Sequence, residues 1–219
     1  MKKNFNLPNV IIFSRWPIMG FVKNRLAKTI GLIKATQFAR SSLNFTIKKL
    51  KYDKRWTILV AITPNNITNI KIKPKNTSYF IPQGKGDLGE RMWTINNSIL
   101  RPVIIIGSDI PAVSKLHIIK AIKLLKSNDV VIGPSSDGGY WLIGFSKRKN
   151  ISYPFNNVRW STSSALEDTC RNFKKLNIKI GFCDELTDVD DKNTFVKNNK
   201  TYASFSLGIN STKLQGRNL

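Results

Sequence analysis

The chain has 219 residues, 41% of them hydrophobic, and carries 36 Lys and Arg against 13 Asp and Glu for a formal charge of +23. At this length one domain buries roughly 70% of its unfolded surface, so neither a disulfide nor a structural metal is required, and the two cysteines, Cys170 and Cys183, read as ordinary thiols of a reducing compartment. No run approaches the ~20 apolar residues of a membrane span and Val10–Phe13 is too short for a signal core, so a soluble, cytoplasmic protein is expected.

Asn9–Ser14 reads as a buried strand. It runs into Arg15-Trp16-Pro17-Ile18-Met19-Gly20-Phe21-Val22-Lys23-Asn24-Arg25-Leu26, a loop whose backbone N–H groups could wrap phosphates while Arg15, Lys23 and Arg25 neutralise them. A solvated basic loop is the plainer reading. No Walker A or GxGxxG pattern occurs. Leu32–Leu50 has apolar residues at helical spacing, Trp56–Thr63 is a second strand, Asn65–Lys75 suggests a short helix with a loop, and Ser78–Ile81 is a third strand. In Pro82–Met92 three glycines fall within six residues, which implies sharp turning or close approach of a ligand. Asp87 and Glu90 have the spacing of a capping box, which accounts for both acids without a ligand.

Val103–Pro111, Val-Ile-Ile-Ile-Gly-Ser-Asp-Ile-Pro, reads as a central strand buried on both faces, with Asp109 just past its carboxyl end. Asp109 is placed either to hold a divalent metal against a phosphate or to cap the following helix, with Pro111 in that helix's first turn. Ser114–Lys126 repeats Leu116, Ile119, Ile122 and Leu125 as an amphipathic helix, on which the sole histidine, His117, is expected to face solvent. One histidine argues against a Ser-His-Asp triad or a His-rich zinc site. Asp129–Pro134 and Trp141–Phe145 are strands joined by a turn, where Asp137-Gly138 fits a type I′ pair and Gly139 with the flanking serines points to a ligand. Val158–Ser163 precedes a helix to about Leu176, with Ser161 or Thr162 as N-cap and Trp160 as a stacking wall. Ile178–Cys183 is the last strand, and Thr201–Leu219 reads as a flexible tail after one domain over residues 1–200. The alternation predicts a layered α/β domain.

The cations are scattered and Lys, Asn and Ile are abundant throughout, so compositional bias explains the charge as well as a nucleic-acid partner would. The rare acids say more: Asp87, Glu90, Asp109, Asp137, Asp188 and Asp190 all sit in predicted loops or helix starts.

Taken in order, the motifs resemble those of the DUF2064 proteins, the "transferase 1" group of the GT-A glycosyltransferase and nucleotidyltransferase superfamily. They are Arg15-x-Pro17-x-x-Gly20-x-Val22-Lys23-x-Arg25-Leu26, Gln83-Gly84-x-Gly86-Asp87-Leu88-Gly89-Glu90-Arg91-Met92, Ile106-Gly107-Ser108-Asp109-x-Pro111, Gly133-Pro134-x-x-Asp137-Gly138-Gly139-Tyr140, Trp160-Ser161-Thr162 and Asp188-Val189-Asp190. The resemblance implies a three-layer α/β/α sandwich, GT-A in type, with a mostly parallel central sheet. It implies nucleotide and phosphate binding by Arg15, Gly20, Lys23, Arg25, Gln83, Gly84, Asp87, Arg91, Asp137, Gly138, Gly139, Trp160 and Ser161. Lys23, Arg25 and Asp109 would be catalytic, and Asp109 with Asp188 or Asp190 would hold Mg²⁺ or Mn²⁺. The expected substrates are a nucleotide-sugar, or a nucleoside triphosphate in a guanylyltransferase-like reaction on a phosphorylated small molecule, with an acceptor the residues do not identify. The competing class is a non-catalytic binder of nucleic acid or another polyanion. Two departures from the family pattern stand out: Arg15 replaces the usual Lys, and Asp191-Lys192-Asn193-Thr194-Phe195 replaces Thr-Pro-Glu-Asp-Leu.

Overall fold

In the computed structural model, residues 7–21, 24–66 and 80–187 are described. Seven strands form one sheet: β1 (Asn9–Arg15), β2 (Thr57–Thr63), β3 (Phe80–Pro82), β4 (Val103–Gly107), β5 (Val130–Pro134), β6 (Tyr140–Phe145) and β7 (Ile180–Phe182). Their spatial order is β3-β2-β1-β4-β6-β5-β7. The pairs β1–β2, β1–β4, β2–β3 and β5–β7 are parallel, and only β6 runs against its neighbours β4 and β5. The mostly parallel sheet is therefore present.

Alternation along the central strands sends side chains to two cores. Val10, Ile12, Ile104 and Ile106 meet Leu43, Ile47 and Leu50 of α2 (Leu32–Leu50) and Ile118 and Ala121 of α4 (Lys115–Leu124). Ile11, Val103 and Ile105 meet Met92 and Ile95 of α3 (Leu88–Ser98) and Ala165 and Phe173 of α5 (Ala165–Lys175). Helices cover both faces, giving the three layers that the near-continuous apolar runs of β1 and β4 require. β1 connects forward to β2 on one side and lies against β4 on the other. Its carboxyl end is thus the switch point at which open α/β sheets leave a crevice.

Four local expectations change. The end of the expected loop, residues 24–26, belongs to helix α1 (Asn24–Ile30), because Leu26, Ala27 and Ile30 bury themselves against Ala35 and Phe38 of α2. Helix α4 is rotated from its expected phase: Ile118 and Ala121 are buried while Leu116 is 75% exposed. Accordingly His117 is half-buried rather than turned fully to solvent. Its ring packs edge-on against Trp141 at 5.8 Å, and its Nδ1 accepts from the Ser114 N–H at 3.1 Å, closing the helix cap. Pro111 lies outside α4, whose N-cap is Ser114, so capping no longer accounts for Asp109. The N-cap of α5 is Ser164, while Thr162 donates to the Arg159 carbonyl and accepts from the Ser164 N–H to form the turn ahead of it. From residue 67 the expected Asn65–Lys75 helix lies outside the described residues, as do Ser78, Tyr79 and the tail. Among the described residues no helix is long and apolar enough to cross a membrane.

Asp168 on α5 is heavily engaged. Its carboxylate accepts from the Arg159 N–H, Nε and Nη2 and from Arg171 Nη1, over 2.8 to 3.1 Å. These bonds, the Arg159 guanidinium first, hold its carboxyl well below the usual range, and Arg55 holds Asp53 down at about 2 in the same way. A depressed carboxyl contributes stability that is present above the unfolded value of about 3.9 and lost as pH falls through the folded value. The melting temperature should therefore fall steadily below about pH 4. Asp168→Asn should lower it at neutral pH and flatten that acid limb, as thermal denaturation followed by circular dichroism would register.

Candidate functional site

The crevice at the carboxyl end of β1 and β4 is a cavity of about 830 Å³. Its floor is built from small polar residues at the strand ends. Ser14, the penultimate residue of β1, accepts from the Ser108 hydroxyl at 3.0 Å, and Ser42 of α2 donates to the Ser108 carbonyl at 2.7 Å. Lys49, two turns further along α2, donates to the Pro111 carbonyl at 3.2 Å. The 108–111 segment that carries Asp109 is thus pinned to α2 at two points. Gly107 leaves space beside it: a Cβ there would stand 2.9 Å from Asp109 Oδ1.

Arg15 enters from the end of β1 and Arg91 from the first turn of α3. Burial and the charge of Arg15 both push the Arg91 guanidinium down from its ordinary value, with Asp87 acting the other way. Neither arginine forms an ion pair with a carboxylate among the described residues. What holds Arg91 is neutral: its Nη1 donates to Gln83 Oε1 at 2.7 Å and its Nε to the Asp87 carbonyl at 3.0 Å. Gln83 itself is 3% exposed and gives both Nε2 hydrogens to backbone, to the Ser14 carbonyl at 3.1 Å and the Ala61 carbonyl at 3.0 Å. Two like charges on one cavity wall, neither paired with a carboxylate among the described residues, are an arrangement that an anion would relieve.

The glycine-rich loop serves the start of α3. Asp87 accepts from the Glu90 N–H and Glu90 from the Asp87 N–H, both at 2.8 Å, completing the capping box. Gly86 has φ +89°, and a Cβ on it would fall 2.2 Å from Glu90 Oε2, so the cap demands glycine there. Gly84 exchanges hydrogen bonds with the Asn65 side chain.

The far wall comes from the β5–β6 hairpin and the segment before α5. Ser135 accepts from the Gly138 N–H, which centres the turn on Ser136-Asp137 with Gly138 following at φ +84°. This is a turn with a left-handed glycine after it rather than the type I′ pair expected for Asp137-Gly138. A Cβ on Gly138 would lie 2.2 Å from the Ser163 carbonyl, and the Gly138 carbonyl receives the Leu166 N–H. The hairpin therefore docks directly on the start of α5. Trp160 meets Tyr140 at 6.3 Å and Phe155 at 5.7 Å, and Ser161 is held at φ +61°, a conformation a side chain rarely adopts. The Tyr140 hydroxyl is buried, which raises its pKa.

Of the residues singled out in the sequence, the cavity walls bring together Arg15, Gln83, Asp87, Arg91, Asp109, Asp137, Gly139, Trp160 and Ser161. Gly20, Gly84 and Gly138 are not on its walls. Lys23, Asp188 and Asp190 lie outside the described residues, and of Arg25 only the helical backbone is described. Ser14, Ser42, Tyr140 and Trp141 line the cavity without having been anticipated. A small polar residue closing an apolar strand was the available signal for Ser14, as it is for Ser108.

Among the described residues no three Asp, Glu, His or Cys stand close enough to hold a metal. The donor chemistry nevertheless suits a hard cation that takes one or two carboxylates and completes its shell with phosphate oxygens. Asp109 is on the wall beside the gap at Gly107. Thr187, hydrogen-bonded to Ser136 at 3.1 Å, immediately precedes Asp188.

A family described as an uncharacterized protein conserved in bacteria (DUF2064) matches residues 46–162. The 2-phospho-L-lactate guanylyltransferase of Methanocaldococcus jannaschii is 33% identical over 119 residues, 50% of this chain and 50% of that protein. The chain thus matches about half the length of that curated relative. Among solved structures, a Desulfovibrio desulfuricans G20 protein described as a nucleotide-diphospho-sugar transferase superposes with a TM-score of 0.75 at 23% identity, over 91% of this chain and 98% of that one. The 4-diphosphocytidyl-2C-methyl-D-erythritol synthase of Anaerococcus prevotii DSM 20548 superposes with a TM-score of 0.57 at 13% identity, over 90% and 99% of the two chains. These structural likenesses establish the shared nucleotidyl- and glycosyltransferase-like fold.

Proposed function

This chain belongs to the DUF2064 family, and on that premise we propose that it is a transferase using a nucleotide-activated sugar, with the nucleotide's phosphates seated between Arg15 and Arg91. The guanidinium pair carries the reading. Planar forks match phosphate oxygens two at a time, and a bound pyrophosphate relieves the repulsion between them. The opposite wall suits a sugar ring: Tyr140 and Trp160 offer apolar faces, and Ser161, Thr162, Ser163 and Asp137 offer hydrogen-bonding groups beside them.

Asp109, with Asp188 or Asp190, would hold Mg²⁺ or Mn²⁺, which when bound offsets phosphate charge as a Lewis acid. Lys23 and Arg25 would add positive charge where the leaving phosphate develops its own. Gln83 and Asp87 position Arg91 rather than reach the ligand themselves. Nucleotidyl transfer to a phosphorylated small molecule is the second reading, supported by the match to a guanylyltransferase.

Thermal shift with a panel of nucleotide-sugars and nucleoside triphosphates, with and without Mn²⁺, tests the proposal on the wild type and on Asp109→Asn. At ligand concentrations about 100 times Kd the wild type should gain about 2.7 kcal/mol, a rise of roughly 5–10 °C, only with metal. Asp109→Asn should lose that gain. Equal, salt-sensitive stabilisation of both proteins by any polyanion would refute the transferase and favour a simple polyanion binder.

A further inference from the structure

The net charge plays no part in that reading, yet its distribution is uneven. No acidic residue precedes Asp53, whereas eleven Lys and Arg do. The described part of this acid-free stretch comprises β1, the loop through Phe21, α1 and α2. Lys28, Lys34, Arg40 and Lys48 are exposed on it. On α2 the exposed residues Ile33, Gln37, Arg40, Asn44 and Lys48 recur at helical spacing, so they form one outward face.

The same stretch concentrates exposed apolar surface. Of nine large hydrophobic residues exposed among the described residues, five fall within residues 18–33: Ile18 (37%), Met19 (53%), Phe21 (64%), Leu32 (49%) and Ile33 (60%). They are not part of the local core, which Leu26, Ala35 and Phe38 fill. Trp16 turns inward, edge-on to Phe80 at 5.7 Å, and the turn closed by the Phe21 N–H on the Ile18 carbonyl leaves Met19 and Phe21 projecting.

Exposed aliphatic and aromatic side chains among cations, in a stretch that itself holds no acid, are complementary to an anionic bilayer. Its headgroups attract the charge and its acyl boundary accepts the apolar side chains. A nucleic acid would reward the cations through its backbone but gives no return for exposed Ile18, Leu32 and Ile33. We propose that the loop after β1, together with α1 and α2, is a peripheral docking surface for membranes bearing anionic phospholipid. Ala39 and Ser42 of α2 also line the cavity, so docking would hold the cavity next to the bilayer.

Flotation of the full chain with vesicles tests this, comparing phosphatidylcholine alone with phosphatidylcholine containing about 30% phosphatidylglycerol at near-physiological salt. The anionic vesicles should capture on the order of tenfold more protein. Two exposed-residue variants, Met19→Ser/Phe21→Ser and Lys34→Gln/Arg40→Gln, should each weaken capture on the order of tenfold without moving the melting temperature. Equal capture by both vesicle types would overturn the proposal. So would capture that is indifferent to Met19→Ser/Phe21→Ser and competed away by duplex RNA, because that result describes an electrostatic nucleic-acid surface.

Discussion

Replacing Gln83 with Leu should lower stability by about 2–3 kcal/mol, since removing the amide strips donors from two buried backbone carbonyls. Those carbonyls belong to Ser14 at the end of β1 and Ala61 in β2, so one side chain ties the cavity-lining end of β1 to its neighbour β2. Leucine keeps the approximate volume and adds apolar burial, which offsets part of the loss but leaves the carbonyls unserved. In a domain of this size the melting temperature should drop by roughly 5–10 °C. The same change removes the oxygen that receives Arg91 Nη1, so affinity for the nucleotide that stabilises the wild type should fall as well. Gln83→Glu supplies an oxygen for Arg91 but turns acceptor oxygens toward the two carbonyls, and it should be no more stable than the leucine variant. A melting temperature within 2 °C of wild type for Gln83→Leu would mean that the amide's bonds do not brace the sheet.

How much of this was legible in the sequence follows the range of the interactions concerned. β1 and β4 were readable because strands buried on both faces must be apolar throughout, and the Asp87–Glu90 cap was readable because its partners are three residues apart. Helix α1 was not, since its seven residues owe their helicity to contacts of Leu26 with Ala35 and Phe38 rather than to propensity. The phase of α4 failed for a related reason. Leu116 and Ile118 are equally apolar, and only the position of Trp141 on a strand from another part of the chain decides which way His117 turns.

The site divides in the same way. Arg15, Arg91, Asp109 and Asp137 were marked by lying beside strand ends or glycines, where an open α/β sheet gathers ligands. The Ser14–Ser108 bond joins residues 94 apart in sequence and exists only because β1 and β4 are neighbours. Glycine carried the least reliable signal. Gly86 lay in a loop expected to turn sharply or meet a ligand, and the family resemblance implied that Gly138 binds nucleotide, yet each has a protein atom 2.2 Å from where its Cβ would be. The close approach inferred for Gly86 is made by the chain itself.

The Arg91→Met variant should separate binding from stability by moving them in different directions. Arg91 is partly buried beside Arg15, and burial and that like charge both oppose its charged form. Methionine fills the space of the stem without the charge. It forfeits the bonds to Gln83 and the Asp87 carbonyl but relieves the repulsion, so the unliganded protein should keep its melting temperature to within a few degrees or gain slightly. Nucleotide affinity should fall about 10- to 100-fold, the worth of one or two hydrogen bonds to a charged group, as titration calorimetry with the ligand that stabilises the wild type would measure. The salt dependence of binding should weaken with it, because one fewer cation meets the phosphates. Arg91→Lys keeps the charge but not the planar fork, and it should recover only part of the affinity. Full recovery by lysine would reduce the site to a point charge, and unchanged affinity in Arg91→Met would remove Arg91 from the phosphate site. A residue serving only the fold would lose stability first and affinity as a consequence. A residue held at an energetic cost for its ligand shows the reverse, which is the outcome expected of Arg91, whose burial and neighbouring Arg15 both oppose its charge.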